Sequence, residues 1–347
     1  MLKICLVGCG RVAKSHIAGA KELPGEVEIV ALVDKNIETA KQFGEQYGVP
    51  AVFASIGEAA KAAAFDAVDL CLPNHLHREA TITCAALGKH ILVEKPMANT
   101  QADCAAMNEA ARAAGVTLMV GQSRRYYPAV VRSREMAQDG TIGELTCISA
   151  NLFGYLADAP TPWWRSREQA GGLLIPIWGS HILDYCLWMF GVLPRRVYCE
   201  SASVRPCWEG EDEAAILLSF GEGRFANIRM SWNTRLKETA WDGGGKMLSS
   251  SDILYERYIQ GSEGSLYLHD ETALTHNGAP VALPPAVAGN FALQYREFAG
   301  AIAQRRTPMA AGEEIIRVIQ VQEAALRSAA EHRVLELTEA HGHARYV

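Results

Sequence analysis

A chain of 347 residues with 49% hydrophobic and 21% charged content has the balance of an ordinary globular protein and the length for two cores. Its formal net charge is -6, with Lys and Arg dispersed along the chain, which excludes the basic footprint of a nucleic-acid binder. Nine cysteines, most within apolar runs and none in a C-x-x-C pair, exclude a disulfide framework or a zinc cluster and point to a reducing compartment, the cytoplasm.

The amino terminus runs straight into an apolar strand at 2–7, an arrangement with no room for a signal peptide. Gly8-Cys9-Gly10-Arg11-Val12-Ala13 follows at once and opens a helix. In this G-x-G-x-x-A pattern Gly8 permits a tight turn, Gly10 lets backbone approach a pyrophosphate, and Ala13 keeps helix and strand close. A second strand at 27–33 ends in Asp34, placed to accept hydrogen bonds from a ribose and to repel a 2′-phosphate, which favours NAD. Lys35 beside it could reach that phosphate, so NADP stays open.

Further strands are expected at 51–53, 66–72, 91–93 and 117–120, alternating with helices near 36–47, 55–62, 75–88 and 100–114. This alternation describes an α/β domain with a doubly wound parallel sheet. Its crevice lies at the carboxyl ends of the strands. There the sequence sets Pro73, Asn74, His75 and His77 after the fourth strand, and Glu94-Lys95-Pro96 after the fifth. No acidic or cysteine partner stands at ligand spacing from the two histidines, so no metal is expected. The cofactor-facing set comprises Gly8, Gly10, Arg11, Val12, Asp34, Pro73, Asn74, His77, Glu94, Lys95 and Gln122.

The ordered motifs Gly8–Ala13, Asp34, Leu72-Pro73-Asn74 with His77, Ala86-Leu87-Gly88-Lys89-His90 and Glu94-Lys95-Pro96 resemble the Gfo/Idh/MocA oxidoreductases, named for glucose–fructose oxidoreductase and inositol dehydrogenase. The resemblance continues through Arg125-Tyr126-Tyr127-Pro128, Gly143-Glu144, Trp164-Arg165, Gly171-Gly172 with His181, and Gly261 to Leu266. It implies an NAD(P)-dependent dehydrogenase or reductase of a sugar, glycoside or cyclitol. It also implies a second domain with an open, largely antiparallel sheet whose free face serves subunit contacts, and hence a homo-oligomer, a dimer or a tetramer.

Composition changes after Gly121, which places a Rossmann domain at 1–122 and a substrate-binding and oligomerisation α+β domain at 123–347. Ala226, Ile228, Met230 and Trp232 alternate with Phe225, Asn227, Arg229 and Ser231 as in a half-covered strand, and Gly221-Glu222-Gly223 reads as a hairpin turn. The stretch between Trp232 and Tyr255 reads as a long loop, and 312–332 as a core helix. Residues 173–194 are strongly apolar, but Pro176, Gly179, His181, Asp184 and Gly191 interrupt them, so a buried helix is expected and no membrane span.

Within that helix His181, Asp184, Tyr185 and Trp188 share one face. A carboxylate three residues from a histidine can hydrogen-bond the ring and favour its charged form. Oxidation of an alcohol needs a proton acceptor and a positive group at the developing alkoxide. Lys95 and His181 are the candidates, with either assignment open, and Asp184 completes the catalytic set. Tyr155, Trp163, Arg165 and Trp178 join these three as candidate substrate contacts, offering aromatic faces and donors to a polyhydroxylated small molecule. The resemblance supports Lys95 and His181. It also shows departures: Ile177 stands where many members carry an aspartate, and Leu173 where they carry a third glycine. Alternative readings are a dehydrogenase of a dihydrodiol or imine, a glycoside-cleaving enzyme that uses NAD transiently, and a nucleotide sensor without turnover.

Overall fold

The computed structural model describes residues 1–236 and 253–337. They form two compact units, Met1–Tyr126 with Val287–Ile316, and Tyr127–Ala286 with Arg317–Val347. The stretch Val287–Ile316, which lies within the domain expected at 123–347, clusters with the first unit.

The first unit is built on strands β1 (Leu2–Val7), β2 (Val27–Val33), β3 (Val52–Phe53), β4 (Ala67–Leu70), β5 (His90–Glu94) and β6 (Leu118–Gly121). They form one six-stranded sheet in the order β3-β2-β1-β4-β5-β6, every pair parallel. Its helices are α1 (Ala13–Lys21), α2 (Ile37–Tyr47), α3 (Ile56–Ala62), α4 (His77–Ala86) and α5 (Gln101–Ala114). Local chemistry starts several of them: Asn36, Ser55 and Thr100 each accept a main-chain N–H of the first turn. Ile4, Leu6, Leu32, Leu70, Ile91 and Leu92 are wholly buried, each burial contributing about 1.5–3 kcal/mol. The strands whose ends carry the polar motifs are thereby anchored in a buried core. The strand order reverses between β1 and β4, the switch point at which such sheets take their ligands.

The second unit begins with α6 (Pro128–Gln138), β7 (Leu145–Gly154), a short α7 (Arg167–Ala170) and α8 (Ser180–Phe190). Strands β8 (Arg196–Ala202), β9 (Glu213–Gly221), β10 (Arg224–Ser231), β11 (Ile253–Gly261), β12 (Ser265–His269), β13 (Ala273–His276) and β14 (Ala279–Pro280) follow. The chain then gives α9 (Asn290–Gln304) to the first unit, and α10 (Gly312–Glu331) leads to β15 (Leu335–Glu336). The nine-stranded sheet runs β14-β13-β12-β11-β7-β10-β9-β8-β15. All its pairs are antiparallel except β7 with β10, and β9 and β10 make the expected hairpin.

Ala226, Ile228 and Met230 of β10 are buried, as their alternation requires. Tyr185 of α8 ties helices to sheet: its hydroxyl lies 2.9 Å from that of Ser133 on α6, and the buried guanidinium of Arg257 on β11 sits 4.8 Å from its ring centre. Leu217, Phe225 and Tyr258 are exposed, and Tyr258 stacks on Tyr267 at 4.6 Å. The apolar helical run Arg167–Phe190 has 89% of its most apolar window buried within the protein. Residues 237–252 of the expected loop lie outside the described residues.

Candidate active site

Gly8 ends β1 at φ +95, and a Cβ there would stand 2.4 Å from the carbonyl oxygen of Cys71 at the end of β4. Only glycine lets the two strand ends approach this closely. At Gly10 nothing lies within 4 Å of where a Cβ would be, so the loop faces open space. Helix α1 then starts with no side-chain cap at Val12, leaving main-chain N–H groups of its first turn for an anion. At the far side of the sheet Gln122 is buried, and neither atom of its amide meets a partner. An uncapped helix start, an open glycine and an orphaned buried amide fit a dinucleotide, with its pyrophosphate held by residues 8–13.

Asp34, expected from the sequence to face a ribose, also has a structural part. Its Oδ2 accepts the Cys9 N–H at 2.9 Å, and its Oδ1 accepts the Asn36 N–H at 2.9 Å, which fastens the glycine loop to the end of β2. Arg11 is partly buried, and burial lowers its pKa. Pro73 precedes a single 3-10 turn, Asn74–Leu76, whose Asn74 is buried.

His77, read from sequence as a cofactor contact, is placed as a brace. Its Nε2 lies 2.9 Å from the Leu72 carbonyl, and its Nδ1 lies 3.0 Å from that of Pro96 and 3.2 Å from that of Met97. Burial pushes its pKa below the usual histidine range despite those carbonyls. The ring thus joins the loop after β4 to the loop after β5.

Glu94 also turns inward. Its Oε1 lies 3.0 Å from Nε2 of His16, and its Oε2 accepts the Lys95 N–H at 3.2 Å. The Lys95 amine has its pKa lowered to about 8, first by burial, then by Arg124 and Arg11, against the opposing pull of Glu94. An amine tuned to that value can take or give a proton near neutral pH. The Lys95-Pro96 peptide is cis.

In the second unit, Gly171-Gly172 leads into a π-helical turn, Ile175–Gly179, which continues as α8. The entry is capped by Glu211, which lies far off in sequence. Its Oε1 accepts the N–H groups of Leu173 at 3.3 Å and Ile175 at 2.9 Å, and its carbonyl accepts that of Leu174 at 3.0 Å. Burial raises the Glu211 pKa. Gly172 is required here: a Cβ would stand 2.9 Å from Oε2 of Glu211 and 2.9 Å from the Pro176 ring.

His181, Asp184, Tyr185 and Trp188 all lie buried on α8. Ile177, where an acid was expected, sits inside the π turn. A π turn is wider than an α turn, so four-residue spacing from 177 to 181 no longer ensures that two side chains stack. Trp178, half-buried, meets His181 edge-on at 6.2 Å and Trp232 edge-on at 5.5 Å. Tyr155 lies 4.1 Å from the guanidinium of Arg205 and 3.7 Å from that of Arg235, and its hydroxyl accepts from Arg235 at 2.6 Å. Trp163 packs edge-on against Trp164, and exposed Arg165 pairs with Asp158 at 2.5 Å.

Sequence reasoning did not single out His16, Asp69, Tyr295, Arg205 or Glu211. Each is a polar residue whose partner lies far along the chain, and no local pattern marks it. A histidine one turn into the helix after a glycine loop was the one available signal.

Residues 2–122 match the oxidoreductase family model with an NAD-binding Rossmann fold, and residues 130–267 match the GFO/IDH/MocA C-terminal domain. The chain is 29% identical to trans-1,2-dihydrobenzene-1,2-diol dehydrogenase of Mus musculus, over 82% of this chain and 80% of that one. It is 27% identical to D-apiose dehydrogenase of Paraburkholderia graminis, over 96% and 89%. Among solved structures, aldose-aldose oxidoreductase of Caulobacter crescentus, complexed with glycerol, superposes with a TM-score of 0.85 at 27% identity, covering 97% and 99% of the two chains. The glycine loop, the Lys95 amine and the matched domains together make the chain a member of the Gfo/Idh/MocA family of NAD(P)-dependent oxidoreductases.

Proposed function

We propose that this oxidoreductase moves a hydride between NAD and a secondary alcohol or ketone of a sugar, glycoside or cyclitol. The observation that carries the reading is the position of Lys95, directly after β5 in a unit that matches the NAD-binding Rossmann model, where burial lowers the pKa of its amine. NAD+, which residues 8–13 and Asp34 would hold, would supply the hydride acceptor in the oxidative direction. Lys95 and His181 handle the hydroxyl proton, Lys95 also steadies the oxygen, and Asp184 orients His181 or holds a neighbouring hydroxyl. Tyr155, Trp163, Arg165 and Trp178 serve the substrate. NAD is preferred over NADP because Asp34 sets a carboxylate at the end of β2, with Lys35 exposed beside it as the opposing influence.

Support for a polyhydroxylated substrate comes from the likeness to D-apiose dehydrogenase over nearly the whole chain. The likeness to the mouse dihydrodiol enzyme favours a second reading, a non-sugar vicinal diol. We assign the protein to the cytoplasm from its cysteines, eight of nine of them buried. We also assign it a homo-oligomeric state through the sheet face that exposes Leu217, Phe225 and Tyr258. Reduction of NAD+ in a panel of aldoses, glycosides, cyclitols and vicinal diols, followed at the reduced nicotinamide band, tests the activity. Turnover of a polyol supports the first reading, and turnover of dihydrodiols alone supports the second. Tight NAD+ binding with no turnover across the panel overturns both.

A further inference from the structure

Beneath Lys95 the first unit buries a cluster of ionisable groups that the reaction scheme leaves unused. His16, one turn into α1, is wholly inaccessible to solvent. Its Nδ1 lies 2.7 Å from Oδ2 of Asp69 on β4, and its Nε2 lies 3.0 Å from Oε1 of Glu94 on β5. Asp69 receives two further donors, the hydroxyl of Tyr295 on α9 and, at 3.8 Å, the thiol of Cys71. The rings of Phe291 and Tyr295 close the imidazole in at 4.9 Å and 5.9 Å.

A neutral imidazole has a single N–H, whereas each nitrogen of His16 faces a carboxylate oxygen. An imidazolium donates to both, whereas a neutral ring turns one nitrogen lone pair toward a carboxylate oxygen. A cation in the first turn of a helix opposes the helix dipole, so it is the two acids that must hold it there. Asp69 has three donors directed at it, one from His16 and two from other residues. The His16 pKa is correspondingly raised well above its ordinary value: Asp69, with Cys71, outweighs the opposing effect of burial. Donor atoms of His16, Asp69 and Cys71 lie within 4.8 Å of one another, but with both nitrogens protonated the ring has no lone pair for a metal.

We propose that His16 is a positioning residue for Lys95: as an imidazolium bridging Asp69 and Glu94, it holds the Glu94 carboxylate where it receives the Lys95 N–H and offsets the charge that Glu94 presents to the Lys95 amine. The groups bearing on His16 are Asp69, Cys71, Glu94 and Tyr295; those bearing on Lys95 are Glu94, Arg124 and Arg11; and His77 also faces Glu94. The inference deepens the reading of Lys95 as a proton-handling group and rests on it.

In His16→Gln the side chain can still donate to Glu94 but carries no charge. Glu94 then acts on the Lys95 amine without its counter-ion, and the amine holds its proton to higher pH. The limb of the kcat profile through which alcohol oxidation rises should move to higher pH by on the order of one unit. Turnover at pH 7 should fall roughly tenfold, with NAD+ binding little changed. A histidine that only fills space would scale turnover equally at every pH, and a limb unmoved or moved to lower pH overturns the proposal.

Nitrogen NMR of wild-type protein labelled with 15N-histidine needs no variant to fold. His16 should show two protonated ring nitrogens at pH 7.5, and a neutral His16 overturns the proposal while leaving Lys95 its role. A wild-type profile with no limb near pH 8 removes the reading of Lys95 and this proposal with it.

Discussion

The main-chain N–H of Cys9 donates to the Asp34 carboxylate at 2.9 Å, so the acid proposed to face the ribose also holds the glycine loop. Asp34→Ala should therefore impair two things at once. Loss of charge-assisted bonds to Cys9 and Asn36 should lower stability by about 1–3 kcal/mol. The KM for NAD+ should rise at least tenfold, and NADP+ should gain relative to NAD+, as measured by steady-state kinetics with both cofactors. An unchanged KM with a lowered Tm would assign Asp34 to the loop alone.

Lys95→Ala should lower kcat by roughly 10²–10⁴-fold, the usual contribution of general acid–base catalysis. The NAD+ dissociation constant, read by fluorescence, should stay within a few-fold. Because the amine acts as a base only when deprotonated, oxidation by the wild type should rise as pH passes through about 8. Glu94 holds that pKa up, so Glu94→Gln should move the limb to lower pH. A shift to higher pH would contradict this electrostatic account.

Asp184→Asn tests whether the acid on α8 makes up for the missing one at Ile177. Turnover should fall far more than NAD+ affinity, as steady-state kinetics and a binding titration would show. Full activity in this variant would leave Asp184 as a packing residue.

Glu211 predicts a contrast between two substitutions. Glu211→Ala leaves the N–H groups of Leu173 and Ile175 without their acceptor and should destabilise by about 1–3 kcal/mol. Glu211→Gln keeps an acceptor oxygen and removes a carboxyl whose ionised form burial disfavours, so its effect should be smaller. The raised pKa has a sign of its own: the folded state holds this proton more tightly than the unfolded chain, so the contribution declines as pH rises through the folded value. Thermal melts of both variants between pH 5 and 8 check this, and equal losses in the two would rule out the capping role.

Much of the first unit was legible in the amino-acid sequence because its signals are local. A buried parallel strand followed by Gly8-Cys9-Gly10 and a helix, and a strand closed by Glu94-Lys95-Pro96, state strand, turn and helix within a few residues. The same locality placed His181, Asp184, Tyr185 and Trp188 on one helix face, where the structure keeps them. Packing of unlike segments was not legible. That 287–316 joins the first unit, that Glu211 caps a helix nearly forty residues earlier, and that His77 braces two loops each depend on partners distant in sequence.

The π turn before α8 marks the same division. Spacing predicts which residues lie on a face only while the helix keeps its period, and the turn at Ile175–Gly179 breaks it. By itself the sequence determined the fold class, the cofactor loop and the residues that can carry a proton, since these follow from period and residue type. Only the tertiary structure decided how those groups are charged. Burial and neighbouring charges set the Lys95 amine near 8 and hold a proton on His16 between Asp69 and Glu94, because desolvation and Coulomb forces depend on distance in space and not on separation along the chain.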